Sequence, residues 1–166
     1  MRRDGRQFEW LPSAERIQLR ALFTAADALV ADISCDASTD CCRFGVTGRE
    51  PYVTAAEVAE IRVALRAKGG ARPSKSPVKQ AKRTNQRLPM VDERRCPLLS
   101  DEGRCGVYDA RPLGCRTFFC QPALAKSGGV KLPHADLRQL AREVEEISRQ
   151  AFPREPGTRP LTRILT

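Results

Sequence analysis

Hydrophobic residues recur at helical spacing in three stretches of the chain, and each stretch predicts a helix with one buried face. The first runs from about Ala14 to Ala31, where Ser13 follows Pro12 and offers its hydroxyl as an N-cap. Its apolar side chains stand three or four residues apart: Leu19, Leu22, Phe23, Ala26, Val30 and Ile33. An amphipathic helix of this kind packs its apolar stripe against another element.

The second helix is predicted from a capping box, Thr54-Ala-Ala-Glu57. In this motif the threonine oxygen and the glutamate side chain each satisfy an amide of the first turn that has no partner within the helix. The apolar residues that follow share one helical face: Val58, Ile61 and Leu65. Gly69 and Gly70 then end the helix.

The third helix is predicted from about His134 to Ala151. Its apolar residues again fall on one side: Leu137, Leu140, Val144 and Ile147. Prolines at positions 153, 156 and 160 prevent the helix from continuing, because proline lacks the amide hydrogen that a helix interior needs. Residues 153–166 are therefore interpreted as a proline-containing C-terminal tail.

The segments between these helices have weaker patterns. Residues 43–53 mix glycine and proline with Phe44, Val46, Tyr52 and Val53, which predicts a short hairpin or an irregular extended segment. Residues 69–90 contain three prolines among Lys, Arg, Ser and Gln, a composition that predicts a basic flexible loop. The fold class expected from the whole pattern is a small α-rich single domain, residues 1–166, with minor β structure.

Length and composition narrow the picture further. The chain has 166 residues, too few for a large cofactor-binding sheet beside a separate substrate domain. Hydrophobic residues make up 41%, but only nine are aromatic, so the core is lean. A small domain with a lean core is typically stabilised by a disulfide or a metal.

The positive charge is concentrated in one segment. The net charge is +9, and residues 61–91 hold nine Lys or Arg and no acid. The rest of the chain therefore has equal numbers of basic and acidic residues. Basic residues on a loop are able to bind nucleic-acid phosphates. This segment has no aromatic residue on which a base could stack, which disfavours nucleic acid. A solvated loop, or a clamp for an acidic protein partner through residues 62–87, is the alternative.

The first residues and the most apolar window bear on location. The N-terminus is charged and leads into no uninterrupted apolar stretch, so it does not resemble a secretory signal. The window Ala21–Ile33 contains Asp27 and Asp32 and is too short to span a bilayer. We therefore expect a cytoplasmic protein with no membrane segment. A reducing compartment disfavours structural disulfides.

Seven cysteines form two groups, residues 35–42 and residues 96–120. Their odd number and the adjacent Cys41 and Cys42 argue against a simple disulfide set, and short turns rich in Gly and Pro suit several thiolates aimed at one metal. Two adjacent cysteines do not easily place both sulfurs on one ion. They could serve two neighbouring ions, or supply one ligand and one thiol beside it, and a redox-active thiol pair is a third possibility. The spacing matches neither a zinc ribbon nor a bacterial ferredoxin, so zinc and iron–sulfur both stay open.

Two arginines flank Cys115 and have two interpretations. Arg111 and Arg116 either neutralise an anionic thiolate cluster or form an ion pair with Asp109 or Asp101. The aromatic residues of this region are expected to pack around the site: Tyr108, Phe118 and Phe119.

His134 is the only histidine of the chain and lies at the predicted start of the third helix. A solvated residue at a helix terminus is the preferred interpretation, and a fourth metal ligand is the alternative.

The second cysteine group carries a specific motif. Residues 105–120 read Cys-Gly-Val-Tyr-Asp-Ala-Arg-Pro-Leu-Gly-Cys-Arg-Thr-Phe-Phe-Cys, and the Thr-x-x-Glu helix start at 54–57 precedes them. Together with the first group, this pattern resembles the CxxCxxCC family of zinc- or iron-chelating cysteine-cluster proteins, the YkgJ type, over about residues 35–120. One position departs from the family pattern: Ser38 stands where the second cysteine is usual, so eight sulfurs become seven.

The resemblance implies a zinc ion or an iron–sulfur cluster, and it makes all seven cysteines candidate ligands. These are Cys35, Cys41, Cys42, Cys96, Cys105, Cys115 and Cys120. Some relatives resemble methylases that act on flagellin lysines, which implies a cluster-dependent protein-lysine methylase-like transferase as one alternative. The chain has no Gly-x-Gly-x-x-Gly segment and little length beyond the cysteine core for a methyl-donor fold. A metal-stapled adaptor that grips an acidic partner or nucleic acid through its basic loop is the other alternative.

Overall fold

The computed structural model describes residues 10–33, 39–69, 94–100 and 103–164, and these residues form a small, mostly helical fold. The helices are α1 (Ser13–Leu29), α2 (Phe44–Thr47), α3 (Ala55–Ala67), α4 (Leu113–Arg116), α5 (Gln121–Lys126) and α6 (His134–Ala151). Two short strands, β1 (Tyr52–Thr54) and β2 (Thr158–Pro160), pair antiparallel. The expected α-rich fold with minor β structure is thus confirmed. No helix among the described residues is long and apolar enough to cross a membrane.

The first core lies between α1, α6 and the start of α3. Helix α1 contributes Leu19, Phe23 and Ala26, and α6 contributes Leu140, Val144 and Ile147. These are the apolar stripes that the sequence predicts, and the bounds of α6 agree with the prediction. Each fully buried aliphatic or aromatic side chain of this size stabilises the fold by about 1.5–3 kcal/mol.

The start of α1 differs from the prediction. Ser13 is not the N-cap but the first helical residue, and Pro12 precedes it with an extended backbone. The carbonyl oxygen of Pro12 accepts the hydrogen bond of the Arg16 amide at 2.9 Å, which makes Pro12 the capping residue. The helix also ends at Leu29, two residues earlier than expected, because Val30 leaves the helical conformation.

The predicted capping box of α3 is confirmed. The Glu57 amide donates to Thr54 Oγ1 at 3.3 Å, and the Thr54 amide donates to Glu57 Oε2 at 2.8 Å. Helix α3 turns small residues towards the first core, and Val58 and Ile61 towards a second one. It ends at Ala67, and Gly69 takes the left-handed backbone, φ +85°, that glycine adopts without strain.

The segment 43–53 was expected to be a hairpin or irregular extended chain, and that expectation is wrong in two respects. Residues Phe44–Thr47 form α2, which ends at Gly48 in the left-handed conformation. Strand β1 then pairs with β2 from the C-terminal segment, with Tyr52 opposite Pro160. The partner strand lies far along the chain, so local sequence does not reveal it.

The second core lies beside this pair of strands and carries the cysteines on its edge. Its buried side chains are Phe44, Val53, Val58, Ile61, Cys96, Leu98, Val107, Ala110, Leu161 and Ile164. The C-terminal segment therefore supplies β2 and two buried aliphatic residues. The basic loop predicted over residues 69–90 lies outside the described residues except for Gly69.

Candidate metal centre

Five of the seven candidate cysteines lie together at the edge of the second core. Cys96 is buried in that core, and three other cysteines, Cys42, Cys105 and Cys115, pack against it half-buried. The sulfur of Cys41 lies 3.9 Å from that of Cys42. All six described cysteines are free thiols. We call Cys41, Cys42, Cys96, Cys105 and Cys115 the cysteine cluster.

Backbone hydrogen bonds join the first cysteine group to the second. The Cys96 amide donates to the Cys42 carbonyl oxygen at 2.8 Å, and Arg43 and Arg95 form an isolated antiparallel bridge. Cys41 and Cys42 belong to a short 3-10 turn, Asp40–Cys42, that follows Thr39 in the left-handed conformation. The two groups therefore meet through main-chain contacts.

A tight turn brings Cys105 back beside Cys96. Leu99 and Cys105 form an antiparallel bridge, and the Gly106 amide donates to the Leu98 carbonyl oxygen at 2.7 Å. A Cβ atom at position 106 would lie only 3.1 Å from that same oxygen. A side chain at position 106 would therefore push the two backbones apart by a few tenths of an ångström.

Helix α4 places Cys115, and the capping box of α3 holds α4. The second carboxylate oxygen of Glu57 accepts a hydrogen bond from the Leu113 amide at 2.8 Å. The Cys115 amide donates to the carbonyl oxygen of Pro112 at 2.9 Å, which closes the first turn of the helix. Glu57 thus links the start of α3 to the element that presents a candidate ligand.

Burial and proximity raise the pKa of the clustered thiols. A hydrogen bond to Cys42, followed by burial, raises the pKa of Cys41 well above its ordinary value. The Cys41 hydrogen bond lowers the pKa of Cys42, but a hydrogen bond to Cys96 and burial together raise it to about 12. Burial is the main cause that raises the pKa of Cys105 and of Cys115. Ionised thiolates so close together repel one another, and a bound cation would relieve that repulsion.

Two cationic side chains face the cluster. Arg111 lowers the pKa of Cys41 and of Cys105, and Lys68 lowers that of Cys105, although burial outweighs both. The Arg111 Nε donates to the Tyr108 carbonyl oxygen at 3.1 Å, and its guanidinium lies 3.8 Å from the centre of the Tyr108 ring. This position favours the interpretation of Arg111 as a group that neutralises thiolate charge.

Arg116 has a structural role and an acid partner that the sequence did not indicate. Its side chain is only 6% exposed, and its Nη1 forms an ion pair with Asp27 of α1 rather than with the side chain of Asp109. Its Nη2 donates to the Asp109 carbonyl oxygen at 2.5 Å, and its Nε donates to that of Arg111 at 2.8 Å. Asp101 lies outside the described residues. Arg116 therefore ties the cysteine-bearing segment to α1.

The aromatic residues and the histidine are more exposed than a core position would be. Tyr108 was expected to pack in the core, but it is 59% exposed because its ring lies under Arg111 at the surface. Phe118 and Phe119 are half-buried, and Arg49 lies over the Phe118 ring at 4.8 Å. His134 is exposed at the first position of α6, in agreement with the preferred interpretation.

The remaining two candidate ligands are Cys120 and Cys35. Cys120 is half-buried, has an extended backbone and directly precedes α5, and Cys35 lies outside the described residues together with Ser38. In the described part of the chain, no three Cys, His, Asp or Glu side chains have the mutual geometry of a complete metal site. The structure brings five thiols to one place.

The donor set fits zinc or iron. Thiolates are the preferred ligands of zinc and of iron–sulfur clusters, and this cluster holds more than four sulfurs. Two thiolates on one tetrahedral zinc, each ~2.3 Å from the ion, lie about 3.8 Å apart. The 3.9 Å between the sulfurs of Cys41 and Cys42 matches that separation. The spacing of this pair is therefore compatible with one shared ion.

Sequence reasoning missed two residues around the cluster, Asp27 and Lys68, and it missed the second hydrogen bond of Glu57. Asp27 carried a signal, since it is an acid inside the most apolar window of the chain. The capping box explained only one oxygen of Glu57 and left the other for a distant partner. Lys68 gave no signal, because nothing in the sequence distinguishes it from the other Lys and Arg residues of the segment 61–91.

A mostly helical chain with clustered thiols defines a cysteine-cluster protein, and comparison with known families agrees. The model of the CxxCxxCC family, described as "Putative zinc- or iron-chelating domain", matches residues 34–149. This match covers most of the chain, which therefore belongs to the CxxCxxCC family. Searches of curated proteins and of solved structures give no match.

Proposed function

We propose that this protein binds zinc or an iron–sulfur cluster through its cysteines, with the cysteine cluster as the main set of ligands. The observation that carries the proposal is the meeting of five free thiols at the edge of the second core. The family description, a zinc- or iron-chelating domain, supports the same chemistry. Cys35 and Cys120 complete the proposed set of seven, and His134 is left out because it is exposed at a helix start.

The proposal assigns the residues by their contacts. Four thiolates complete one closed zinc site or hold one 4Fe–4S cluster, so the cluster of five is sufficient for one site. When bound, zinc would cross-link the two cysteine groups, whereas an iron–sulfur cluster would add the capacity to transfer one electron. Arg111 would offset part of the negative charge of the thiolates, and the half-buried position of the sulfurs would limit the access of water.

Anaerobic purification with metal analysis, sulfide analysis and a visible spectrum tests the proposal. Stoichiometric zinc in a colourless protein supports a zinc site, and equal amounts of iron and acid-labile sulfide in a brown protein support an iron–sulfur cluster. Folded protein that contains no metal and takes none up during anaerobic reconstitution with either metal overturns it.

Single Cys→Ser variants then locate the ligands. Cys96→Ser, Cys105→Ser and Cys115→Ser are expected to lose most of the metal, because each removes a sulfur of the cluster. Cys120→Ser is the comparison variant within the proposed set and should lose less metal, since Cys120 is not among the cysteines packed at the second core. Equal metal content in all four variants would count against the proposed ligand set.

A cytoplasmic location remains part of the proposal. Seven cysteines without a disulfide among the described residues suit a reducing compartment. The transferase and adaptor alternatives stay predictions from the sequence, because no contact within the described ranges favours either. The basic segment on which the adaptor depends lies almost entirely outside those ranges.

A further inference from the structure

A pocket of about 370 Å³ lies beside the cysteine cluster, between α1, the end of α3 and the segment that joins Cys105 to Cys115. Helix α1 contributes Phe23 and Asp27, and the end of α3 contributes Lys68. The third wall is formed by residues 107–111. The volume falls at the lower end of the range of about 300–1,000 Å³ that is typical of small-molecule sites.

The charges around this pocket are not balanced. Two of its cations have acid partners, since Arg116 pairs with Asp27, and Arg20 pairs with Glu60 at 3.0 Å. Within the described ranges, the other two cations, Lys68 and Arg111, form no ion pair with a carboxylate. The pocket therefore presents Lys68 from the end of α3 and Arg111 from the segment after Cys105, with Asp109 as a second lining carboxylate beside Asp27.

Arg111 is held in a conformation that suits an anion. Its Nε bonds to the Tyr108 carbonyl oxygen, and its guanidinium plane lies against the Tyr108 ring. No described residue accepts a hydrogen bond from its Nη atoms, which leaves them for a ligand. A guanidinium fixed in this way loses little entropy when it binds a carboxylate or a phosphate in two-point contact. The buried ring of Phe23 adds an apolar surface to the same pocket.

We propose that this pocket binds a small anionic ligand, one that carries a phosphate or a carboxylate group, through Arg111 and Lys68. The inference goes beyond metal binding and does not require it. One wall of the pocket comes from α1, which lies before residues 34–149, the part of the chain that matches the family model. The pocket therefore extends beyond the matched region. The same two cations lie near Cys105, which places the ligand next to the cysteine cluster.

Isothermal titration of the full-length protein with inorganic phosphate, and separately with succinate, tests the proposal. Saturable binding of one anion per chain by either probe is expected, and the tighter of the two identifies the preferred group. Lys68→Ala and Arg111→Ala should each weaken that binding at least about ten-fold, since each removes a charge-assisted hydrogen bond. Lys131→Ala is the matched control, because Lys131 is exposed and does not line the pocket, and it should leave the affinity unchanged.

The outcomes separate this proposal from the metal site. No saturable binding of either anion would overturn it, and so would an equal loss of affinity in Lys131→Ala, which would indicate attraction to the net charge alone. Arg111→Lys keeps the charge and should recover part of the affinity if the side chain contacts the ligand. The metal content and circular dichroism of every variant are measured in parallel. Anion binding by metal-free protein would support the pocket even if the metal proposal failed.

Discussion

Glu57 accepts a hydrogen bond from the Leu113 amide at 2.8 Å, so the residue that closes the capping box of α3 also holds the first residue of α4. Its other oxygen accepts from the amide and the hydroxyl of Thr54, at 2.8 and 2.9 Å. The side chain is only 3% exposed, and three donors share its two oxygens. A single carboxylate thus joins the helix that divides the two cores to the helix that presents Cys115.

Replacing Glu57 with glutamine should destabilise the protein. The amide group of glutamine has one oxygen and one NH₂, and the NH₂ faces donors with which it cannot bond. At least one buried N–H group is therefore left without an acceptor, at a cost of about 1–3 kcal/mol. Urea denaturation of Glu57→Gln measures this loss. The exposed Glu145 gives the control, since Glu145→Gln should change stability by less than about 0.5 kcal/mol. Equal midpoints for the two variants would refute the bridging role.

Arg116→Lys should also destabilise the fold, because one ammonium group cannot form all three hydrogen bonds that the Nε, Nη1 and Nη2 atoms of Arg116 donate. The buried guanidinium bonds to Asp27 and to two backbone carbonyl oxygens, and the loss of two of these bonds should cost about 1–3 kcal/mol. Asp27→Asn should cost less, since Asp27 is 47% exposed and water replaces the lost charge. Thermal unfolding of both variants compares them.

The matched control for Arg116 is Arg149→Lys. Arg149 is 67% exposed and pairs with Glu146 on the surface of α6, so its replacement should have almost no effect. If Asp27→Asn proved as costly as Arg116→Lys, the ion pair rather than the backbone contacts would hold the segment to α1.

The helical part of this fold was accessible from sequence because its signals are local. The apolar residues of α1 and α6 recur every three or four positions, and the structure buries the faces that they form. The capping box of α3 spans only four residues, 54–57. The family resemblance, carried by the motif of residues 105–120, is likewise confirmed over most of the chain. These features depend on neighbours within one or two helical turns.

The remaining features depend on contacts between distant residues. Tyr52 pairs with Pro160, and the Cys96 amide bonds to the carbonyl of Cys42, in each case across a long stretch of chain. No local pattern selects such partners. Tyr108 is a different case, because the side chain over its ring, Arg111, lies only three residues away, and an aromatic residue in a motif rich in apolar positions still predicts burial. The cysteines were recognisable as candidates, but which of them meet was not.

Leu161 should be important for the stability of the second core although it lies in the C-terminal segment. Its side chain is fully buried beside Val53 and Cys96. Leu161→Ala removes this packing and leaves a cavity, so a loss of about 2–5 kcal/mol is expected in chemical denaturation. Val130→Ala is the control, because Val130 is 39% exposed and its truncation should cost less. A negligible effect of Leu161→Ala would show that the C-terminal segment does not pack as described.

Zinc binding should release protons, and the affinity should rise with pH. Burial raises the pKa of Cys105 and of Cys115, so these thiols are protonated near neutral pH in the metal-free protein. Metals bind thiolates, and each raised thiol must give up its proton on binding. Calorimetric titration of metal-free protein with zinc, in two buffers of different ionisation enthalpy, counts the protons released. Cys115→Ser should release about one proton fewer than the unmodified protein. A zinc affinity that does not change between about pH 6 and pH 8 would mean that the clustered thiols are not the ligands.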